Sequence, residues 1–364
     1  MSEVYNFNAG PGMLPREVMQ QAQTELMNWN NTGASIMELS HRSEHFLNLV
    51  SESEKDLREL LSISNDYHIL FLPGGSRTQF SVVPMNLIDQ FHSAAYVLTG
   101  IWGEGASEEA AQYTDVNIVA SDKSAGFTTI PDENTWKDYS KSAYLHYVDN
   151  ETVNGVEFNF IPHSKNVPLI CDMSSNILSR VFDVNRFGLI YACAQKNISI
   201  AGITIVIIRS DLLKRKAMPM TPKMYQYAIQ QKAESMYNTP PTYPWYLAHL
   251  VFKWIKKHGG IAAMEKRNAE KAKKIYDYLD SQDFYLSRVN QQYRSRMNII
   301  FNLPTEELDA KFVFAAAKNN LIGLKGHRIV GGIRASIYNA MPIEGVEKLI
   351  EFMRYFEKLE KVNR

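Results

Sequence analysis

His68-Ile69-Leu70-Phe71-Leu72-Pro73-Gly74-Gly75-Ser76 is an uninterrupted apolar run stopped by a Pro-Gly-Gly turn. A buried strand that feeds a helix at Ser76 has this form, because a strand covered on both faces shows no alternation of apolar and polar residues. The pattern recurs downstream. Ala95–Leu98, Val116–Val119, Tyr144–Tyr147, Pro168–Cys171, Leu189–Ala192 and Ile203–Ile208 are further short apolar runs, and Glu104–Gln112 reads as a helix between two of them. Seven such strands with intervening helices predict an α/β architecture with a mostly parallel seven-stranded sheet.

The texture changes after Ile208. A long helix is expected over Pro244–His258, ended by Gly259-Gly260. The next helix, Ile261–Leu279, carries Lys266, Lys271, Lys273 and Lys274, read as a solvated face. A strand (Met297–Phe301), a helix (Glu306–Asn319), a strand pair around Arg334–Ile337 and a last amphipathic helix (Val346, Leu349, Ile350, Met353, Phe356) predict a smaller α+β C-terminal domain.

With 39 basic and 39 acidic residues in a chain of 364, no electrostatic footprint for nucleic acid or an anionic membrane is expected. The most apolar run, Ile203–Ile208, is too short to span a bilayer. The polar N-terminal stretch lacks an apolar signal core, so a cytoplasmic location is expected. Cys171 and Cys193 are expected to be buried free thiols rather than a disulfide framework.

Chemistry gathers at the strand ends. Asp172 closes one apolar run and Lys196 follows the next. A lysine amine that can form a Schiff base, with a buried carboxylate to keep a pyridine nitrogen protonated, is what pyridoxal 5'-phosphate chemistry requires. The turn at Gly74-Gly75-Ser76-Arg77 offers free N–H groups to a phosphate. Trp102 supplies an indole and Thr152 a hydroxyl at neighbouring strand ends, where ligands of open α/β sheets collect. Ser40-His41-Arg42, and His327-Arg328 with Arg334, are suited to carboxylate or phosphate. His41-Arg42-Ser43-Glu44-His45 matches the inverted zinc-protease pattern, but that motif needs both histidines on one helix face and a third ligand, so no metal is expected.

In this order, the motifs resemble the phosphoserine aminotransferases, a family within the class V, fold type I pyridoxal phosphate enzymes. The resemblance rests on Asn6–Gly12, Ser40–Ser43, Asn150-Glu151-Thr152, Asp172–Asn176, Ala194-Gln195-Lys196-Asn197, Tyr237–Pro241, Gly326-His327-Arg328 and Arg334–Ala340. It implies a large cofactor-binding domain over residues 16–258, with residues 1–15 and 259–364 forming the small one. It further implies Lys196 as the Schiff-base lysine, Asp172 as the pyridinium partner, Trp102 stacked on the ring and Thr152 bonded to the cofactor. Ser76, Arg77 and Gln195 would hold the phosphate, with Asn238 and Thr239 from a second subunit. Arg334 would clamp the substrate α-carboxylate, and His41, Arg42, His327 and Arg328 would form a distal anion pocket. A homodimer with the site at its interface, and glutamate and 3-phosphohydroxypyruvate as substrates, follow from the same resemblance; 4-phosphohydroxythreonine is a further candidate. The chain departs from the family at Ile198-Ser199-Ile200, where Ile/Leu-Gly-Pro is usual, and at Cys193, where a small residue is usual.

Overall fold

The computed structural model describes residues 3–362. Its central sheet is built from β1 (Tyr67–Gly74), β2 (Ser93–Leu98), β3 (Asp115–Ser121), β4 (Leu145–Val148), β5 (Leu169–Asp172), β6 (Leu189–Cys193) and β7 (Gly202–Arg209). The strand order is β1-β7-β6-β5-β4-β2-β3, with β7 antiparallel to both neighbours and every other pairing parallel. All seven apolar runs are therefore strands of one sheet, and the α/β prediction holds.

The continuous apolar character has a direct cause. On one face Leu70, Leu72, Tyr96, Leu98, Ile170, Leu189, Tyr191, Val206 and Ile208 join one core with the helix Ser76–Leu87. On the other face Ile69, Phe71, Val97, Leu145, Cys171, Ile190, Ala192, Ile205 and Ile207 pack with the helices Glu44–Leu61 and Thr242–Lys257. Successive residues along a strand point to opposite faces, so burial of both faces removes any polar alternation. Trp245 anchors the second core, stacked on Phe71 with ring centroids 4.3 Å apart. Cys171 and Cys193 are buried free thiols.

A third core joins Tyr5 and Phe7 to side chains from residues 272–356. Tyr5-Asn6 runs parallel to Leu321-Ile322, so the start of the chain is stitched to its C-terminal part. There β8 (Asn298–Phe301), β9 (Lys325–His327) and β10 (Gly331–Ser336) form an antiparallel sheet in the order β8-β10-β9.

Two expectations need correction. The helix after β2 spans Ile101–Ala110, beginning three residues before the expected Glu104. Its N-terminal N–H groups are satisfied by side chains about fifty residues downstream, described below. Lys271 is not on a solvated face: only 3% of it is exposed, and its ammonium donates to the carbonyls of Ile337 (2.9 Å), Tyr338 (2.7 Å) and Met341 (3.1 Å). It lies on the stripe with Met264, Asn268 and Ile275, and burial pushes its pKa down to about 7. Lys266 and Lys273 are exposed as expected.

Candidate functional site

The parallel strands and β7 bring Gly74, Leu98, Val148, Asp172, Cys193 and Gly202 to one edge of the sheet, where Asp172 sits beside Tyr191 and Val148 in register. A cavity of about 390 Å³ opens there, and its walls include Ser76, Arg77, Trp102, Thr152, Asp172, Gln195, Lys196, His327 and Arg334. Nine of the residues singled out in the sequence thus share one cavity, although they span positions 76 to 334.

Lys196 Nζ donates to Thr152 Oγ1 (2.7 Å) and Ser175 Oγ (2.9 Å), and those two hydroxyls are 2.6 Å apart. The amine is held at a fixed point by two hydroxyls, with no ion pair in contact among the described residues. Asp172 is buried, and its Oδ1 accepts the Ser174 backbone N–H at 2.8 Å. Burial pushes its pKa up; bonds from Ser174 and Tyr191 and the charge of Lys196 oppose that push. A buried carboxylate of this kind is stabilised further by any cation placed against it. Ser174 also ties the turn together, with its hydroxyl 2.6 Å from Ser76 Oγ and accepting the Cys193 N–H at 3.1 Å.

Behind Asp172 lies a buried row of rings. His146 Nε2 is 2.9 Å from the Tyr191 hydroxyl, and burial lowers the His146 pKa to about 3. The unfolded imidazole takes up a proton near its ordinary value of 6.5, the folded one only near 3. Between those values the unfolded chain binds the extra proton, so stability falls as pH falls. Replacing His146 with Gln is expected to flatten the acid side of the stability profile, by up to about 1.4 kcal/mol per pH unit between about pH 4 and 6. Urea unfolding at a series of pH values measures it.

Trp102 stands in the first turn of its helix, with the Arg77 guanidinium 5.5 Å from the indole centroid. Trp102 Nε1 and Arg334 Nε are buried without a hydrogen-bond partner among the described residues. Arg334 lies on β10, and burial lowers its pKa. His327, on β9, is lowered by burial and by the charges of Arg334 and Arg328. An indole face, an isolated amine, a buried carboxylate, a helix N-terminus at Gly75-Ser76 and several cations fit a flat, phosphorylated aromatic with an electrophilic carbon, together with an anionic substrate.

His41, Arg42, Arg328, Asn238 and Thr239 do not line this cavity in the single chain. Arg42 and Arg328 are exposed, and Asn238 donates to the carbonyl of its neighbour Thr239, at 3.1 Å. His41 precedes the helix Glu44–Leu61, so it shares no helix face with His45. Among the described residues no group of three or more His, Cys, Asp or Glu side chains could hold a metal. No helix among them is long and apolar enough to cross a membrane. The unusual Ser199 is buried and donates to the Pro244 carbonyl at 2.7 Å, tying the segment after Lys196 to the helix Thr242–Lys257.

Sequence reasoning assigned no role to Ser174, Ser175, Glu151, Tyr191 or His146. The signal for the first two was present: two adjacent hydroxyls, separated from a strand-end aspartate by Met173 alone.

The model of the family described as Aminotransferase class-V matches residues 4–349. A phosphoserine aminotransferase of Coxiella burnetii is 53% identical over 358 residues, covering 98% of this chain and 99% of that one. The solved phosphoserine aminotransferase of Bacillus circulans subsp. alkalophilus superposes with a TM-score of 0.96 at 44% identity, over 98% of this chain and 99% of that chain. A PLP-bound phosphoserine aminotransferase from Trichomonas vaginalis superposes with a TM-score of 0.92 at 42% identity, over 97% and 100%. The chain therefore belongs to the class V aminotransferases, in the phosphoserine aminotransferase family.

Proposed function

We propose that this protein transfers an amino group reversibly from L-glutamate to 3-phosphohydroxypyruvate, giving O-phospho-L-serine and 2-oxoglutarate, a step of serine biosynthesis. The observation that carries the reading is the meeting of Lys196 and Asp172 with Trp102, Arg77 and Arg334 around one cavity, in a chain of this family. Pyridoxal phosphate, when bound, supplies a carbonyl that takes up the amino group and a ring that accepts the electron pair left at Cα.

The chain's own residues do the rest. Lys196 moves a proton at the substrate Cα, and its placement by Thr152 and Ser175 holds the amine within reach. Asp172 holds the proton on the ring nitrogen. Trp102 would flank the ring, and Ser76, Arg77 and Gln195 would hold the cofactor phosphate at the Gly75 helix start. Arg334 binds the α-carboxylate.

The remaining residues of the reading belong to a homodimer. His41, Arg42, Arg328, Asn238 and Thr239 lie outside the single-chain cavity, which supports a second copy as the means of completing it. Asn238 and Thr239 then reach the cofactor phosphate, while His41, Arg42 and Arg328 join His327 around the distal carboxylate or phosphate. A division into residues 16–258 and residues 1–15 with 259–364 is supported by the shared core of Tyr5, Phe7 and the C-terminal part. A cytoplasmic location is in keeping with two unpaired buried thiols.

Kinetics of three variants test the substrate assignment. Arg42→Ala and Arg328→Ala are each expected to lower kcat/KM for 3-phosphohydroxypyruvate by about 10- to 150-fold, the loss of one hydrogen bond to a charged group. Alanine, which has no distal anion, is expected to be nearly unaffected as an amino donor. Arg334→Ala is expected to penalise all amino acid donors alike. Wild-type use of the phosphorylated substrate by both Arg42→Ala and Arg328→Ala would remove the basis for this substrate.

A further inference from the structure

Glu151 is fully buried, and both of its carboxylate oxygens are spent on the start of one helix. Oε2 accepts the backbone N–H of Trp102 at 3.0 Å and Oε1 that of Gly103 at 2.7 Å. The side chain of Asn154 accepts the N–H of Ile101 at 3.1 Å, so the first three donors of the Ile101–Ala110 helix are satisfied from this one remote turn. The fit is tight: a Cβ on Gly100 would overlap the Glu151 carboxyl group, so any larger residue before this helix would displace that carboxyl. The next residue after Glu151 is Thr152, whose hydroxyl accepts from Lys196 Nζ at 2.7 Å.

We propose that Glu151 is a positioning residue for the cofactor site, fixing the helix turn that presents the Trp102 indole to the cavity and tying it to the segment whose Thr152 hydroxyl holds the Lys196 amine. The role rests on the cofactor reading given above. An ordinary helix cap would stabilise the helix and nothing more. Here the capped turn bears the indole that walls the cavity, while the capping residue adjoins the hydroxyl that orients the amine, so displacing the carboxylate disturbs both walls together. Burial in this setting pushes the Glu151 pKa up to about 8, and the two N–H bonds oppose that push.

The full-length chain, labelled with 5-fluorotryptophan and stripped of cofactor, provides the test through fluorine NMR. It holds 5 tryptophans, and Trp102→Phe assigns the resonance of interest. In Glu151→Gln and Glu151→Ala the Trp102 resonance is expected to shift or split while the remaining tryptophans stay in place. Titration with pyridoxal phosphate is expected to show binding about tenfold weaker in Glu151→Ala, the loss of the indole's contact with the ring, and an intermediate loss in Glu151→Gln. Glu151→Gln keeps the shape of the side chain, so it carries the test if the alanine variant does not fold. An unmoved Trp102 resonance, joint movement of all tryptophans with a lowered Tm, or unchanged cofactor binding would each overturn the role. A wild-type chain that takes up no pyridoxal phosphate would refute the cofactor reading itself, and this role with it, whatever the NMR shows.

Discussion

Lys196→Ala is expected to lower kcat by at least about 10⁴-fold, the upper end of what a positioned proton-transfer group contributes. Neither group bonded to its amine can replace it. The groups bonded to its amine are the hydroxyls of Thr152 and Ser175, which are far too weakly basic to take a proton from Cα. The fold is expected to survive, because those hydroxyls lie 2.6 Å apart and retain each other as partners when the amine is removed. The variant therefore separates chemistry from stability: a Tm close to wild type with turnover lost. An added primary amine is expected to restore a small part of the rate. Near-native turnover in Lys196→Ala, measured in steady state, would contradict the assignment.

Asp172→Asn is expected to produce the second largest effect, a fall in kcat of about 10²- to 10³-fold, comparable to removing one preorganised electrostatic group from an active site. The substitution preserves the local structure. An asparagine Oδ1 can still accept the Ser174 N–H that Asp172 accepts at 2.8 Å, so the turn carrying Ser174 and Ser175 keeps its shape. What is lost is the negative charge that, in the proposed role, would hold a proton on the ring nitrogen. Cofactor retention is expected to change much less than kcat, because the phosphate and the indole contacts remain. Equal losses in kcat and in cofactor binding, read by spectrophotometric titration beside the kinetics, would instead mark Asp172 as a structural group.

The central architecture was legible because it follows from burial of both sheet faces, and that constraint is written residue by residue into the seven apolar runs. The gathering of Lys196, Asp172, Thr152, Trp102 and the Ser76-Arg77 turn around one cavity was legible for a related reason: each lies at or a few residues beyond the end of a strand, and strand ends of such sheets converge on one edge. What was hidden depends on distant partners. The helix at Ile101 begins where it does because Glu151 and Asn154 cap it, and no local cap precedes it in the sequence. Lys271 has the composition of a surface residue, yet three carbonyls from the Ile337–Met341 turn satisfy its ammonium. His146 and Tyr191 read as ordinary strand residues, and only the sheet register places them behind Asp172.

The most direct measurement is the initial rate of amino transfer by the purified, pyridoxal-phosphate-loaded protein. L-Glutamate serves as donor, with 3-phosphohydroxypyruvate, pyruvate and glyoxylate compared as acceptors and 2-oxoglutarate read by a coupled dehydrogenase. The account predicts a kcat/KM for 3-phosphohydroxypyruvate at least about 10²-fold above that for either unphosphorylated acid, because two or more charged hydrogen bonds to the phosphate are lost with them. Equal or faster transfer to pyruvate or glyoxylate would contradict it.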